Sequence, residues 1–273
     1  MPIVQTADKT ELYVKDWGSG RPVILIHGWP LNSDSWEHQA LALTEAGFRV
    51  IAYDRRGFGR SGQPFKGYDY NTMADDLASV IDALDLRDAT LVGFSMGGGE
   101  VARYISRHGT SKIRQAALIS SIAPFMKKTD DNPDGVGEEV FTQMKDGVKK
   151  DRPGFMHDFF PGFYGNDSKG GGVSGSVLHW TWSMAMMASP KATLDCIDAF
   201  GHTDLRKDMS AFDIPTLVVH GTGDNVVPID TSGRAAAKAI KDSTLKEYDG
   251  APHGLTATHA EQLNRDLIDF LKG

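Results

Sequence analysis

The stretch Leu91-Val92-Gly93-Phe94-Ser95-Met96-Gly97-Gly98-Gly99 constrains this chain more than any other. An apolar run, Ala89 to Val92, enters it, and a segment of helical character, Glu100 to Arg107, leaves it. Between them stands Gly-x-Ser-x-Gly, the pattern of a sharp strand-to-helix turn that lifts a serine hydroxyl clear of a sheet. Glycine is expected two residues to either side, because a Cβ there collides with the neighbouring element. The pattern alone decides little. With 30 glycines and 18 serines in 273 residues, chance supplies about 0.2 such matches. The surroundings must carry the reading.

Those surroundings alternate between strand and helix. Glu11 to Trp17 places Leu12, Val14 and Asp16 on one face and reads as an antiparallel edge strand ended by Gly18-Ser19-Gly20. Pro22 to Ile26 and Arg49 to Tyr53 are continuous apolar runs, as expected of strands covered on both faces. The spacing predicts helices over Trp36 to Ala46 and Met73 to Leu84, the second with a stripe of Leu77, Val80, Ile81 and Leu84. Gln115 to Ser120 is a further strand. This rhythm specifies βαβ units and a mostly parallel sheet flanked by helices, an α/β fold.

From about Ala123 the rhythm stops. Residues 126 to 210 contain no clear buried strand, several helical segments, a Gly170-Gly171-Gly172 bend, and a crowd of large apolar side chains from Phe155 to Met187. They read as an inserted helical cap whose underside lines an apolar pocket. The rhythm resumes with a strand at Pro215 to Gly221, a helix at Thr231 to Ile240, a strand at Thr244 to Tyr248 and a last amphipathic helix over Thr258 to Leu271. The expected organisation is a core of residues 1–124 and 211–273, with residues 125–210 as the cap.

A serine hydroxyl needs a base, and the base an orienting acid. In doubly wound sheets such groups collect at the carboxyl ends of strands. Asp224 follows the strand ending at Gly221, and His253 follows the strand ending at Tyr248. Ser95, Asp224 and His253 therefore stand in the order known for serine nucleophiles on α/β sheets. Met96, at the start of a helix, supplies one backbone N–H for an oxyanion. The second comes from Gly28-Trp29-Pro30; Pro30 has no N–H, and Trp29 is preferred over Gly28. Among the remaining histidines, His27 and His220 also lie at strand ends, beside glycines, and read as hydrogen-bonded structural groups. No two histidines have the i, i+4 spacing of a zinc helix, so no metal is expected.

Charge and cysteine content narrow the rest. A net charge of −7 disfavours nucleic acid and anionic membrane surfaces as partners. Cys196 is the only cysteine, which leaves no internal disulfide or thiolate cluster, and its apolar neighbours Leu194 and Ile197 suit a small buried group. The first residues lack a basic segment followed by an apolar run, so a cytoplasmic location is expected. Asn166-Asp167-Ser168 matches a glycosylation sequon but reads as incidental without such a leader.

With these residues in place the chain resembles the α/β-hydrolase superfamily, and within it the bacterial cofactor-free haloperoxidase (perhydrolase) and aryl esterase group. The likeness rests on His27-Gly28-Trp29-Pro30, Asp54 to Ser61, Gly93 to Gly99, Phe163-Tyr164-Gly165, His220 to Asp224 and Ala251-Pro252-His253-Gly254. The resemblance implies hydrolysis of small, often aryl, esters through an acyl-enzyme, with perhydrolysis of carboxylic acids by hydrogen peroxide and without cofactor. It also leaves open γ-lactam cleavage by the same residues or, as a separate class, a non-enzymatic ligand receptor. It implies substrate contacts from Trp29, Phe159, Phe163, Val226 and Val227, a Met144 where some esterase members carry an aromatic, and a homo-oligomer.

Overall fold

The computed structural model describes residues 2–166 and 172–273; Asp167, Ser168, Gly170 and Gly171, invoked above for the sequon and the glycine bend, lie outside them. Among the described residues eight strands form one sheet: β1 (Ile3–Gln5), β2 (Glu11–Trp17), β3 (Pro22–Ile26), β4 (Arg49–Tyr53), β5 (Ala89–Phe94), β6 (Ile113–Ile119), β7 (Thr216–Gly221) and β8 (Ser243–Tyr248). Their spatial order is β1-β2-β4-β3-β5-β6-β7-β8. From β4 to β8 every neighbouring pair is parallel, while β1 and β2 are antiparallel additions. β5 and β7 are buried at every residue, as continuous apolar runs require in a sheet covered on both faces.

The expected edge strand is antiparallel but does not form the edge. β1 pairs outside it, with Val4 opposite Leu12. A three-residue strand with one buried side chain has no alternation to betray it. β8, whose side chains are mostly half-buried or exposed, closes the other edge.

Nine helices accompany the sheet in the described residues: α1 (Glu37–Glu45), α2 (Tyr70–Ala83), α3 (Met96–His108), α4 (Glu138–Phe163), α5 (Gly175–Met186), α6 (Pro190–His202), α7 (Gly233–Ala239), α8 (Leu255–Thr258) and α9 (Ala260–Lys272). The helix expected over Thr258 to Leu271 begins instead at Ala260. His259, at φ −124° and ψ 32°, is non-helical and separates it from α8. α1 packs on α9, and α2 on α3. Among the described residues no helix is long and apolar enough to cross a membrane.

Between β6 and β7 the chain leaves the sheet for α4, α5 and α6. α4 is two helices joined at Asp151, where φ is −158°. Pro153 has no N–H to donate to the Lys149 carbonyl, so the helical ladder is interrupted there, and the Asp151 carboxylate accepts the Gly154 N–H at 3.0 Å to cap the second half. The chain then returns through a 3₁₀ turn at Asp208–Ala211, anchored to α3 by Arg103, which donates to Asp208 at 2.8 Å.

Candidate active site

The turn after β5 has the geometry its glycines anticipate. Ser95 sits at φ 53° and ψ −118°, a conformation non-glycine residues adopt only when their surroundings impose it. The backbone fixes it: Ser95 N–H donates to Ile119 O at 2.9 Å, and Ser95 O accepts Gly98 N–H at 3.0 Å. A Cβ on Gly93 would lie 2.4 Å from Gly97 O, and one on Gly97 2.3 Å from Ile26 O. Both glycines are therefore demanded by close backbone approach.

Three loops at the carboxyl ends of β5, β7 and β8 converge. Ser95 Oγ lies 2.9 Å from His253 Nε2, and His253 Nδ1 lies 2.7 Å from Asp224 Oδ2. An ionised carboxylate only accepts, so Nδ1 carries the ring proton and Nε2 is free to accept from the serine hydroxyl. All three residues are buried. Burial by itself would raise the Asp224 pKa, but the His253 imidazole and the hydrogen bonds from His220 and His253 outweigh it and hold the carboxyl well below the usual range. Its other oxygen accepts the Val226 and Val227 N–H groups at 2.9 and 2.8 Å.

His220, read from sequence as a structural group, touches this acid. Its Nε2 lies 2.9 Å from Val227 O and 3.3 Å from Asp224 Oδ2. A carbonyl accepts only, so Nε2 bears the hydrogen and is shared between the two oxygens. Nδ1 is buried without a partner among the described residues, which fits a neutral ring. The signal was present in the sequence: His220 and Asp224 are four residues apart just where β7 ends.

The loop after β3 carries Trp29 beside the serine. Gly28 lies so close that a Cβ on it would be 3.0 Å from Ser95 Cβ. The Trp29 indole donates to Thr193 O on α6 at 3.0 Å and packs edge-on to Phe159 and Phe200, tying the loop to the helices above it. Met96 begins α3, where backbone N–H groups have no helical acceptor. Beneath the loop, His27 donates from Nδ1 to Gly28 O and accepts the Arg55 backbone N–H at Nε2, both at 2.9 Å. Arg55 in turn pairs with Glu100 of α3 at 2.7 Å, both fully buried.

Above Ser95 and His253 lies a small, mostly apolar cavity. Trp29, Phe159, Val226 and Val227, expected to contact substrate, line it, and so does Met144. Phe163 does not. It stands edge-on to the His253 ring at 4.9 Å and to Phe94 at 6.1 Å, and its carbonyl accepts the Gly254 N–H at 2.8 Å. It braces the imidazole rather than meeting the cavity, because the final turn of α4 points back at the β8 loop. The sequence reading missed Ile122, Met126, Val136, Val140, Phe141 and Phe200, which complete the lining. Ile122 follows the end of β6, a position the strand-end rule indicates; the others come from segments whose direction periodicity does not give. No lining side chain carries a fixed charge.

Among the described residues no group of three or more His, Cys, Asp or Glu is placed to hold a metal ion. Cys196, expected to be buried, is fully so, and burial pushes its thiol pKa up to about 12.

Comparison with known proteins places this arrangement. A family model described as alpha/beta hydrolase fold matches residues 21–152, and one described as serine aminopeptidase S33 matches residues 184–259. The chain is 50% identical to a non-heme chloroperoxidase of Kitasatospora aureofaciens, over 99% of both chains. It is 44% identical, over the full length of both, to a bifunctional esterase/perhydrolase of Acinetobacter calcoaceticus. The crystal structure of a bromoperoxidase from Bacillus anthracis superposes with a TM-score of 0.95 at 46% identity, covering 100% of this chain and 99% of that one. With its fold, its Ser–His–Asp constellation and relatives this similar over their whole length, the chain belongs to the non-heme haloperoxidase and perhydrolase family of α/β-hydrolases.

Proposed function

We propose that this protein is a serine hydrolase of small carboxylic esters, aryl esters included, which also catalyses perhydrolysis. The observation that carries the reading is the chain of contacts from Ser95 Oγ through His253 to Asp224, opening onto a cavity whose lining bears no fixed charge. Such a cavity accepts a neutral acyl group and disfavours charged ones. His253 takes the Ser95 proton as Oγ attacks the ester carbonyl, and Asp224 stabilises the resulting imidazolium. The backbone N–H groups of Trp29 and Met96 hold the oxyanion, each contributing about 3 kcal/mol. Collapse expels the alcohol, protonated by His253. Water then attacks the acyl-enzyme to release acid, or hydrogen peroxide attacks to release peroxyacid. Residues 125–210 serve as the cap, contributing Phe159 and Met144 to the acyl site. A homo-oligomer in the cytoplasm belongs to the same reading and is tested by sedimentation and fractionation.

Ser95→Ala is expected to lower kcat for p-nitrophenyl acetate about 10⁶-fold and Asp224→Asn about 10⁴-fold. Retained activity in Ser95→Ala overturns the assignment. Dialysis against a chelator leaves the wild-type rate unchanged, since no step uses a metal. Absence of turnover and of an acyl-enzyme burst with any ester would instead favour a ligand receptor on this fold.

A further inference from the structure

Two cavity residues are thioethers. Met126 is buried, Met144 is half-buried, and both line the same space as Ser95 and His253. Met126 lies in the segment that follows β6, and Met144 on the first half of α4, so the cavity receives sulfur from two separate elements. Among the described residues neither sulfur takes part in a hydrogen bond; Met126 belongs to the buried core with Met73, Met96 and Met209 but, unlike them, also lines the cavity, and Met144 packs partly buried against that core. The remaining lining is aliphatic and aromatic, apart from the Ser95 hydroxyl and the His253 ring. Thioethers are the most readily oxidised groups facing that space.

We propose that Met126 and Met144 form an oxidative modification site, converted to methionine sulfoxide by the peroxyacid generated at Ser95 before it leaves the cavity. This rests on the perhydrolase reading above. The acyl-enzyme and hydrogen peroxide give R–CO–O–OH and free Ser95. The terminal peroxide oxygen then transfers to the sulfur lone pair: an S–O bond forms, the O–O bond breaks, and the proton ends on the departing carboxylate, giving R–COOH. Sulfur loses two electrons and the peroxide bond gains them, so the step needs no other reagent. A sulfoxide is polar and bulkier than a thioether, and in a lining without charge it weakens binding of an apolar acyl group. Turnover with peroxide therefore limits its own duration, and reduction of the sulfoxide restores the site.

Met187, 41% exposed on the surface, is the internal control, because bulk oxidant reaches it first. The experiment incubates the enzyme with acetate and hydrogen peroxide, with peroxide alone, and with preformed peracetic acid. Peracid in solution is assayed in the same samples, and sulfoxide at each methionine is quantified by peptide mass spectrometry. With acetate and peroxide together, oxidation at Met126 and Met144 is expected to exceed that at Met187 by at least fivefold. Peroxide alone, or Ser95→Ala with both reagents, should remove that excess. The Met126→Leu/Met144→Leu variant is expected to lose activity more slowly during perhydrolysis, relative to its own starting rate. If peracid accumulates while Met126 and Met144 are oxidised no faster than Met187, the proposal is wrong and the perhydrolase reading stands. If no peracid forms, the perhydrolase reading fails and the proposal fails with it.

Discussion

Asp224 is held by more than its histidine partner. Two backbone N–H groups occupy one carboxylate oxygen, while His253 and His220 share the other. A hydrogen bond to a charged group contributes about 1.5–3 kcal/mol. Loss of the His220 donor also frees Val227, whose carbonyl it binds and whose side chain lines the cavity. His220→Leu is therefore expected to lower kcat/KM about tenfold or more, with KM rising as kcat falls. His220→Gln, whose amide still offers an N–H, is expected to recover part of the loss. Equal kinetics for both variants would remove His220 from the positioning of Asp224. The sequence exposed Asp224 and His253 by their places after strands. It left His220 ambiguous, because a histidine beside glycine has the same appearance whether it braces a carboxylate or only a turn.

At the scale of elements, the strand–turn–helix unit around Ser95 works by backbone contact. Gly97 approaches the carbonyl of Ile26 across the β3–β5 pair, so Gly97→Ala must move either α3 or the end of β3. Overpacking of this kind costs about 1–3 kcal/mol, and here the displaced strand leads straight into the Trp29 loop. A lower urea midpoint together with a larger proportional loss of kcat than of KM is the expected outcome. Unchanged stability would show that the close approach relaxes freely. α4 illustrates what element-level reading leaves undecided. Its apolar residues were legible as a mass from Phe155 to Tyr164, yet only Phe159 reaches the cavity, while Phe163 turns to His253. The break at Asp151 rotates the second half of the helix relative to the first, so no single periodic stripe describes both.

For the molecule as a whole, the loop under Trp29 links catalysis to stability. His27 is fully buried, and its ring is satisfied only when neutral, donating to Gly28 O and accepting from Arg55 N–H. Burial, aided by the Arg55 charge, lowers its pKa from 6.5 to about 3. The unfolded chain therefore binds this proton before the folded one does. The contribution of His27 is fully present above about pH 6.5 and declines as pH falls toward 3. Between pH 7 and pH 5 the free energy of unfolding is expected to drop by about 2 kcal/mol from this group. His27→Gln should flatten that slope in urea titrations, and an unchanged slope would contradict the assignment. The Arg55–Glu100 pair beneath is buried on both sides, so Glu100→Gln, which strands one charge, is expected to cost about 3–5 kcal/mol.

By itself the sequence determined the α/β class, the parallel core, the turn at Ser95 and the places of Asp224 and His253 just after strands. These depend on local pattern: apolar runs for covered strands, glycine where backbones touch, and polar residues placed just after strands. The tertiary structure decided the outer strand β1, the role of His220 and Phe163, and the membership of the cavity. Those depend on which face of a helix meets which loop. That outcome is set by the summed packing of α4, α5 and α6 over the sheet, and no segment of the chain encodes it alone.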